Sequence, residues 1–345
     1  MRPSHLRGCF HPAEALGSGC GRLLRVSAGT ASLVRRLSRP LLVVVVAAVA
    51  VACGGHDSGP VLTVGAGDSA ESMMIAEIYA GALARTGLHT QTKTRMGDRK
   101  DLLAGLDSDT IALYGDVSGD LLSALDPTAT VTKPETTTGA DGGAVDGVNA
   151  ALSKALPEGV IDSDPADGTD LRQTVVAAAT RPADFPSSLK ELGPRCGDLT
   201  IGITTGPPLD ALRAPLDPLR DVLNPLRSVY HCEFAHALTF TTDATLRKAL
   251  SDGEIQLAVL AGPPSFLPDG GADLAALADP DYAFRAASVL PVMRKAALTD
   301  QQIRKLNYVA GELTTTDLAD MIHQVRDQGA IPASVARVWL DAHAL

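Results

Sequence analysis

The stretch that most constrains the fold runs from residue 61 to residue 87 and reads VLTVGAGDSAESMMIAEIYAGALARTG. Its apolar start predicts a short buried strand of a parallel sheet. Gly65 and Gly67 then allow a tight turn, and apolar residues at helical spacing predict a helix that ends near Gly87. The loop between them therefore lies at the carboxyl end of a strand and the amino end of a helix, where open α/β sheets bind ligands.

The same plan recurs along the chain. A polar strand at 91–95, a short helix at 100–106 and an apolar strand at 111–114 complete a βαβαβ pattern, which predicts a mostly parallel sheet. Strands at 199–204 and 255–260 each run into a loop rich in Gly or Pro and predict a second copy. A chain of 345 residues suits two α/β lobes, or one lobe with a swapped segment. Two lobes joined by two crossovers would form a cleft between them.

Residues 1–53 are predicted to be a leader rather than part of the fold. A basic cluster at 35–39 precedes an apolar run at 41–51, a pattern typical of a signal peptide and short for a membrane span. The run leads into AVACG, which resembles the lipobox of bacterial lipoproteins with Ala50 in place of the usual Leu. The resemblance implies cleavage before Cys53 and lipidation of its thiol. The alternative is a plain transmembrane anchor.

The remaining chain is strongly acidic. Residues 54–60 are predicted to be a linker, and residues 1–33 precede an already complete signal, so we expect translation to begin near Val34. Residues 1–53 hold seven Lys and Arg and one acidic residue, which leaves 23 basic and 39 acidic side chains and a net charge of −16. Such a surface repels phosphates, so no nucleic-acid partner is expected.

Two cysteines lie beyond the leader, Cys196 and Cys232. An even pair in an exported domain predicts a disulfide. Each cysteine lies just before or at the start of a strand-like run, at 198–204 and 234–241, so parallel neighbouring strands would bring both thiols to one sheet edge. The alternative is two separate buried thiols. No metal site is expected around His231, because the spacing of its neighbours fits no common zinc pattern.

Several segments carry a resemblance to a known family. They are GAGDSAES at 65–72, AEIY at 76–79, IALYGD at 111–116, VLPVMRK at 289–295 and the stretch 306–340. They resemble the substrate-binding proteins of glycine betaine/carnitine/choline ABC transporters, in which the first loop looks like G-S-x-N/D-x-T-E and the third strand ends in D-L-Y-x-E-Y-T-G.

The resemblance covers most of residues 61–345 and implies a two-lobe periplasmic-binding-protein fold of type II-like α/β architecture. Each lobe would be a mostly parallel sheet flanked by helices. Lobe I would comprise residues 61–175 and 282–345, and lobe II residues 176–281. The cleft between the lobes would hold the ligand.

The predicted cleft is lined by residues that follow or end strands in both lobes. They are Asp68, Ser69, Tyr114, Asp116, Thr204 and Thr205.

Each residue of the first lobe has both a functional and a structural interpretation. Ser69 and the free amides of its helix could bind an anionic end of a ligand. Tyr114 could offer its ring to a quaternary ammonium group, and Asp116 could attract a cation. Alternatively, Asp68 or Ser69 caps the first helix together with Glu71, Tyr114 packs under the loop, and Asp116 caps the next helix.

Two features separate this chain from the family pattern. Val117 stands where the family commonly has a second aromatic residue, and Gly115 stands where it has Pro. Only 3% of the residues are aromatic, whereas a cage around a cation needs several rings. A polar, non-cationic compound is therefore the alternative to a betaine or choline.

An enzyme is the competing class of protein. The sequence contains no nucleophile elbow, P-loop or H-E-x-x-H motif, so neither catalysis nor a cofactor is expected. We expect a monomeric solute-binding lipoprotein on the extracytoplasmic face of the cell membrane, which presents a small-molecule ligand to an ABC permease. A non-transport envelope lipoprotein, either a sensor or a scaffold, is the remaining alternative.

Overall fold

The computed structural model describes residues 60–129, 140–181, 184–210 and 212–345. The predictions about the leader, Cys53 and residues 54–59 of the linker lie outside these residues. Within the described ranges, no helix combines the length and the apolar composition that a membrane crossing requires.

The described residues form ten strands and ten α-helices. The strands are β1 (Val61–Gly65), β2 (His89–Lys93), β3 (Leu113–Val117), β4 (Val160–Asp162), β5 (Thr174–Ala178), β6 (Thr200–Thr204), β7 (His236–Phe240), β8 (Leu257–Leu260), β9 (Leu274–Ala276) and β10 (Val289–Arg294). The helices are α1 (Ala70–Ala84), α2 (Arg99–Asp107), α3 (Ser118–Leu125), α4 (Ala140–Ala155), α5 (Leu189–Leu192), α6 (Asn224–Tyr230), α7 (Asp243–Asp252), α8 (Asp300–Glu312), α9 (Thr315–Arg326) and α10 (Pro332–Ala342).

The strands form two five-stranded sheets of the same design. The first has the order β2-β1-β3-β10-β4 and the second β7-β6-β8-β5-β9. In the first sheet β1 pairs in parallel with β2 and β3, while β10 is antiparallel to β3 and β4. In the second, β6 pairs in parallel with β7 and β8, while β5 is antiparallel to β8 and β9. The predicted α/β fold with mostly parallel sheets is confirmed, because four strands of each sheet run in one direction and only β10 or β5 runs against them.

The antiparallel pairings come from an exchange of strands between the two halves of the chain. The chain leaves the first sheet after β4 and enters the second as β5, and it returns from β9 to the first sheet as β10. Residues 163–173 and 277–288 are the two crossovers. The first sheet with α1–α4 and α8–α10 is called lobe I below, and the second sheet with α5–α7 is called lobe II.

Helices cover both faces of each sheet because both faces are apolar. In lobe I, α1 packs with α8, α9 and α10 in one buried cluster, whereas α2, α3 and α4 contribute to a second. In lobe II, α5 and α6 share one cluster and α7 contributes to another. Helix α5 begins after its N-cap Ser188, whose side chain accepts from the Lys190 N–H, and a 3₁₀ turn over Gly193–Asp198 follows it.

The structure joins Cys196 and Cys232 in a disulfide with a Cα–Cα distance of 5.3 Å. Thr200 of β6 and His236 of β7 are register partners in a parallel pair. Each cysteine lies four residues before its partnered residue, so the two thiols meet at one edge of the sheet.

Candidate functional site

The candidate site lies where residues that follow β1, β3, β6 and β8 meet. Helices α1 and α3 begin within a few residues of the ends of β1 and β3. The segment after β6, residues 206–210 and 212–217, extends from lobe II to both of these helix starts. We call it the bridging segment.

The first contact of the bridging segment is made by Asp210. The Ser69 hydroxyl donates a 2.9 Å hydrogen bond to Asp210 Oδ1, which also accepts from the backbone N–H of Leu212 at 2.9 Å. Ser69 Oγ in turn accepts from the Ser72 N–H at 3.0 Å, so Ser69 is the N-cap of α1 as well as a contact between the lobes. The other oxygen of Asp210, Oδ2, is buried and has no hydrogen-bond partner among the described residues.

The second contact is the buried guanidinium of Arg213. It pairs with Glu71 Oε1 of α1 at 3.1 Å and with Asp120 Oδ2 of α3 at 3.5 Å. It also donates to the carbonyl oxygens of Leu171 in the first crossover, at 2.8 Å, and of Ala261 after β8, at 3.1 Å. Four acceptors from both lobes and a crossover therefore surround one cation.

Gly262 makes room for this cation. A Cβ atom at Gly262 would lie 3.3 Å from the guanidinium carbon of Arg213, closer than most side chains can approach. The backbone after β8 therefore lies directly against the guanidinium.

Carboxylates outnumber guanidinium groups in this cluster. Glu71, Asp120 and Asp210 face Arg213, and all three act on its pKa. Burial raises the pKa of Glu71 to about 8, against the lowering effect of Arg213. Burial also raises the pKa of Asp120, while the neighbouring carboxylates raise that of Arg213. Glu71 therefore holds a proton at neutral pH, and the site still favours positive charge because Asp120 and Asp210 also face Arg213.

Asp116 forms a separate buried ion pair. Its Oδ2 accepts from Arg99 Nε at 2.9 Å and its Oδ1 from Arg99 Nη2 at 2.7 Å, with the Asp116 side chain fully buried. It lies within β3 rather than after it, and Val117 begins α3 without any side-chain cap. In this conformation Asp116 neither caps α3 nor offers a free carboxylate.

Tyr114 is fully buried in β3. Its hydroxyl makes no hydrogen bond of normal geometry among the described residues, and burial together with the nearby Asp116 carboxylate raises its pKa well above the ordinary value. The ring packs with apolar residues of the cluster that contains α2, α3 and α4. In this conformation Tyr114 is therefore packed inside lobe I, which agrees with its structural interpretation rather than with an exposed ring.

The remaining predicted residues fall in different places. Thr204 donates to Asp243 at 2.8 Å and lines a cavity of about 50 Å³ together with Glu71, Asp210 and Arg213. Asp68 accepts from the Gly97 N–H at 3.2 Å. Thr205 donates to the Phe240 carbonyl at 3.3 Å. Of the six predicted residues, the structure brings Ser69 and Thr204 to the Arg213 cluster.

Four residues of the cluster are absent from the predicted set: Glu71, Asp120, Asp210 and Arg213. Asp120 has a usable signal, because it lies in the first turn of α3 as Glu71 does in α1. Asp210 and Arg213 lie in a Pro-rich stretch without periodicity, where no local pattern indicates a site. Glu71 itself was predicted to cap α1, and the structure instead pairs it with Arg213.

Apolar contacts accompany the polar ones. Leu212 of the bridging segment is buried in the lobe I cluster that contains α2, α3 and α4. Phe266 of lobe II joins the cluster formed by α1 and the C-terminal helices, and the Phe266 carbonyl accepts from Arg326 at 2.6 Å. The lobes are therefore in contact around the site, and little open volume remains in it.

Two sheets with exchanged strands and a polar cluster between them define a two-lobe substrate-binding fold. Residues 214–342 match the family described as OpuAC, the substrate binding domain of ABC-type glycine betaine transport systems. This match covers the C-terminal part of the chain, and it agrees with the resemblance seen in the sequence.

Solved structures agree on the fold. A glycine betaine/carnitine/choline ABC transporter structure superposes with a TM-score of 0.63 at 15% identity, covering 82% of this chain and 98% of that one. Ligand-free YehZ from Escherichia coli gives a TM-score of 0.60 at 15% identity, covering 82% and 99%. None of the curated proteins matches the sequence.

Proposed function

We propose that this protein is the solute-binding component of an ABC importer and captures a small osmoprotectant-like compound of the glycine betaine, choline and carnitine class between its lobes. The observation that carries the proposal is the ring of acceptors at the strand ends, formed by Glu71, Asp120 and two backbone carbonyls around one cationic group. Open α/β sheets bind ligands at this place.

The charge of the site supports a ligand with a positive group. Asp120 and Asp210 lie beside Arg213, and in a low-dielectric cleft an ionised carboxylate attracts a cation more strongly than it would in water. A trimethylammonium group would gain this attraction without needing hydrogen bonds. Tyr114 can add a π face, worth roughly 0.5–2 kcal/mol depending on desolvation, provided that the open form exposes its ring.

Capture follows from the two-crossover architecture. Rotation of the lobes about the crossovers separates the residues of lobe I from those of lobe II and admits the solute. Closure then buries the solute between Ser69 and Glu71 on one side and Thr204 on the other. The solute favours the closed form to the extent that it binds that form more tightly.

We further propose that Cys53 carries a lipid anchor which holds the monomer on the extracytoplasmic face, where the permease recognises the closed form. Cys53→Ser should move the protein from the membrane fraction to the soluble fraction. Cys53 in an unmodified N-terminal peptide of the membrane-bound protein would contradict this part of the proposal.

Thermal unfolding in the presence of single solutes tests the ligand class. Glycine betaine, choline and carnitine should each be compared with a polyol and a sugar, because a solute at about 100 times its Kd adds roughly 2.7 kcal/mol of stability. We expect the cationic compounds to raise the Tm. A rise with the polyol or the sugar alone would establish the non-cationic alternative.

A variant pair links any rise to the cleft. Tyr114→Ala should abolish the solute-dependent rise. Tyr308→Ala is the matched control, since Tyr308 is 64% exposed on α8 and should leave the rise unchanged. Equal rises in both variants would place the binding site elsewhere.

A further inference from the structure

The Arg213 guanidinium lies at the position where the proposed function requires the positive group of a solute. It is enclosed by acceptors that follow β1, β3 and β8 and by the first crossover. The cavity that remains beside it measures about 50 Å³, whereas sites for small molecules usually offer ~300–1,000 Å³. The cleft in this conformation is therefore filled by the chain itself.

We propose that Arg213 is a built-in occupant of the cation site, and that the positive group of the solute binds by displacing it. The identity of the incoming solute rests on the proposed function, whereas the occupation of the cleft by Arg213 does not. The ligand class that follows is a small organic cation.

Charge balance explains why the displacing group has to be a cation. Withdrawal of Arg213 leaves Asp120 without its cation, and an unpaired buried carboxylate is strongly unfavourable. A cationic solute restores the pairing, whereas a neutral solute does not. A solute with N–H groups can also replace the hydrogen bonds to the Leu171 and Ala261 carbonyls.

The location of Arg213 couples displacement to motion of the lobes. Arg213 belongs to lobe II, while Glu71 and Asp120 belong to lobe I, so separation of the lobes withdraws the guanidinium from both carboxylates. Asp210 lies on the same bridging segment, and its hydrogen bond to Ser69 is lost in the same movement. The buried Asp210 Oδ2, which has no partner among the described residues, leaves one further acceptor at the site.

Removal of the occupant should have two effects that a merely structural arginine would not produce. When only a fraction of the molecules is competent to bind, the apparent Kd exceeds the intrinsic Kd by the inverse of that fraction. Arg213→Gln should therefore open the solute-free protein and also bind choline about tenfold more tightly than the wild type. Arg213→Lys keeps the positive charge, so its compactness and its Kd for choline should stay closer to those of the wild type.

The experiment combines small-angle scattering of the solute-free proteins with calorimetric titration of choline. Arg220→Gln is the matched control, because Arg220 is exposed on the following helical turn and pairs with its neighbour Asp221. We expect an increased radius of gyration and a lower Kd for Arg213→Gln alone. An Arg213→Gln variant as compact as the wild type that binds choline no more tightly overturns the inference.

Hydrogen exchange of the wild-type protein provides a test that does not depend on folding of the variant. Choline should accelerate exchange in the peptide that covers the bridging segment, because displacement removes the contacts with Ser69, Glu71 and Asp120 that hold the segment on lobe I. Slower exchange in that peptide on choline binding overturns displacement. Failure of every solute to bind either protein counts instead against the proposed function and removes the displacement step with it.

Discussion

The Ser69 hydroxyl donates a 2.9 Å hydrogen bond to Asp210 Oδ1 although 141 residues separate the two in the chain. The same hydroxyl oxygen accepts from the Ser72 N–H and thereby caps α1. One side chain thus fixes both the start of the first helix of lobe I and the position of the bridging segment from lobe II. Local helix stability and contact between the lobes are coupled at this residue.

Ser69→Ala should destabilise the protein more than an ordinary cap substitution. Loss of an N-cap costs about 1 kcal/mol, and loss of a buried hydrogen bond to a charged group costs about 1.5–3 kcal/mol. We therefore expect a loss of roughly 2–4 kcal/mol in urea unfolding. Thr314→Ala is the control, since Thr314 caps α9 without touching lobe II, and equal losses in both variants would mean that the contact with Asp210 adds nothing.

Glu71 should make stability depend on pH. Burial raises its pKa from 4.5 to about 8, so between these values the folded protein holds a proton that the unfolded chain releases. The contribution is fully present below pH 4.5 and is lost as the pH rises to 8, on the order of a few kcal/mol. Glu71→Gln stays neutral, and its stability relative to the wild type should therefore increase across this window.

The Tm of both proteins between pH 5 and 8 measures this difference. Glu77→Gln is the matched control, because Glu77 lies on the same helix and is half-buried. Its carboxylate accepts a hydrogen bond from the Thr92 hydroxyl. The change of Tm with pH should be smaller in Glu71→Gln than in the wild type, but it should not vanish, since Asp120 also has a raised pKa. Parallel curves for the wild type and Glu71→Gln would show that Glu71 stays ionised through the window.

Arg99→Met should be among the most destabilising substitutions in lobe I. It removes the cation from Asp116, whose side chain is fully buried, and breaking a buried pair from one side costs about 3–5 kcal/mol. Asp116→Asn in the same chain should recover much of that loss, because it removes the unpaired charge. A double-mutant cycle by chemical unfolding measures the coupling, and Arg220→Ala, which breaks an exposed pair, should cost less than about 1 kcal/mol.

The first lobe shows how much of the fold local sequence can predict. The strand, Gly loop and helix at residues 61–87 agree with β1 and α1, because apolar spacing and capping residues are local signals. The third strand was predicted at 111–114 but is Leu113–Val117. Its extension depends on antiparallel pairing with β10, in which Leu290 faces Asp116, and this partner arrives more than 170 residues later.

The site was less predictable than the fold for the same reason. Ser69 could be identified because it begins a helix after a Gly loop. Arg213 acquires its role only through contacts with Glu71 and Leu171, which lie 142 and 42 residues away. A guanidinium in a Pro-rich loop has no pattern that distinguishes it from an exposed one, so three-dimensional placement alone assigns it to the cleft.

Two substitutions of Tyr114 separate the contribution of its ring to stability from that of its hydroxyl. The hydroxyl is buried without a hydrogen-bond partner among the described residues, and such a group costs about 1–3 kcal/mol. Tyr114→Phe removes it and should raise the free energy of unfolding by about 1 kcal/mol, whereas Tyr114→Ala leaves a cavity and should lower it by about 3–5 kcal/mol.

The same pair of variants tests how Tyr114 takes part in solute binding. If the ring presents a π face to a cation, Tyr114→Phe keeps the affinity for choline to within a few fold, while Tyr114→Ala loses it. Urea unfolding and calorimetric titration on the same preparations give both quantities. A Tyr114→Phe variant that is more stable but no longer binds choline would mean that the hydroxyl contacts the solute, and that its lack of a partner is a property of the solute-free cleft.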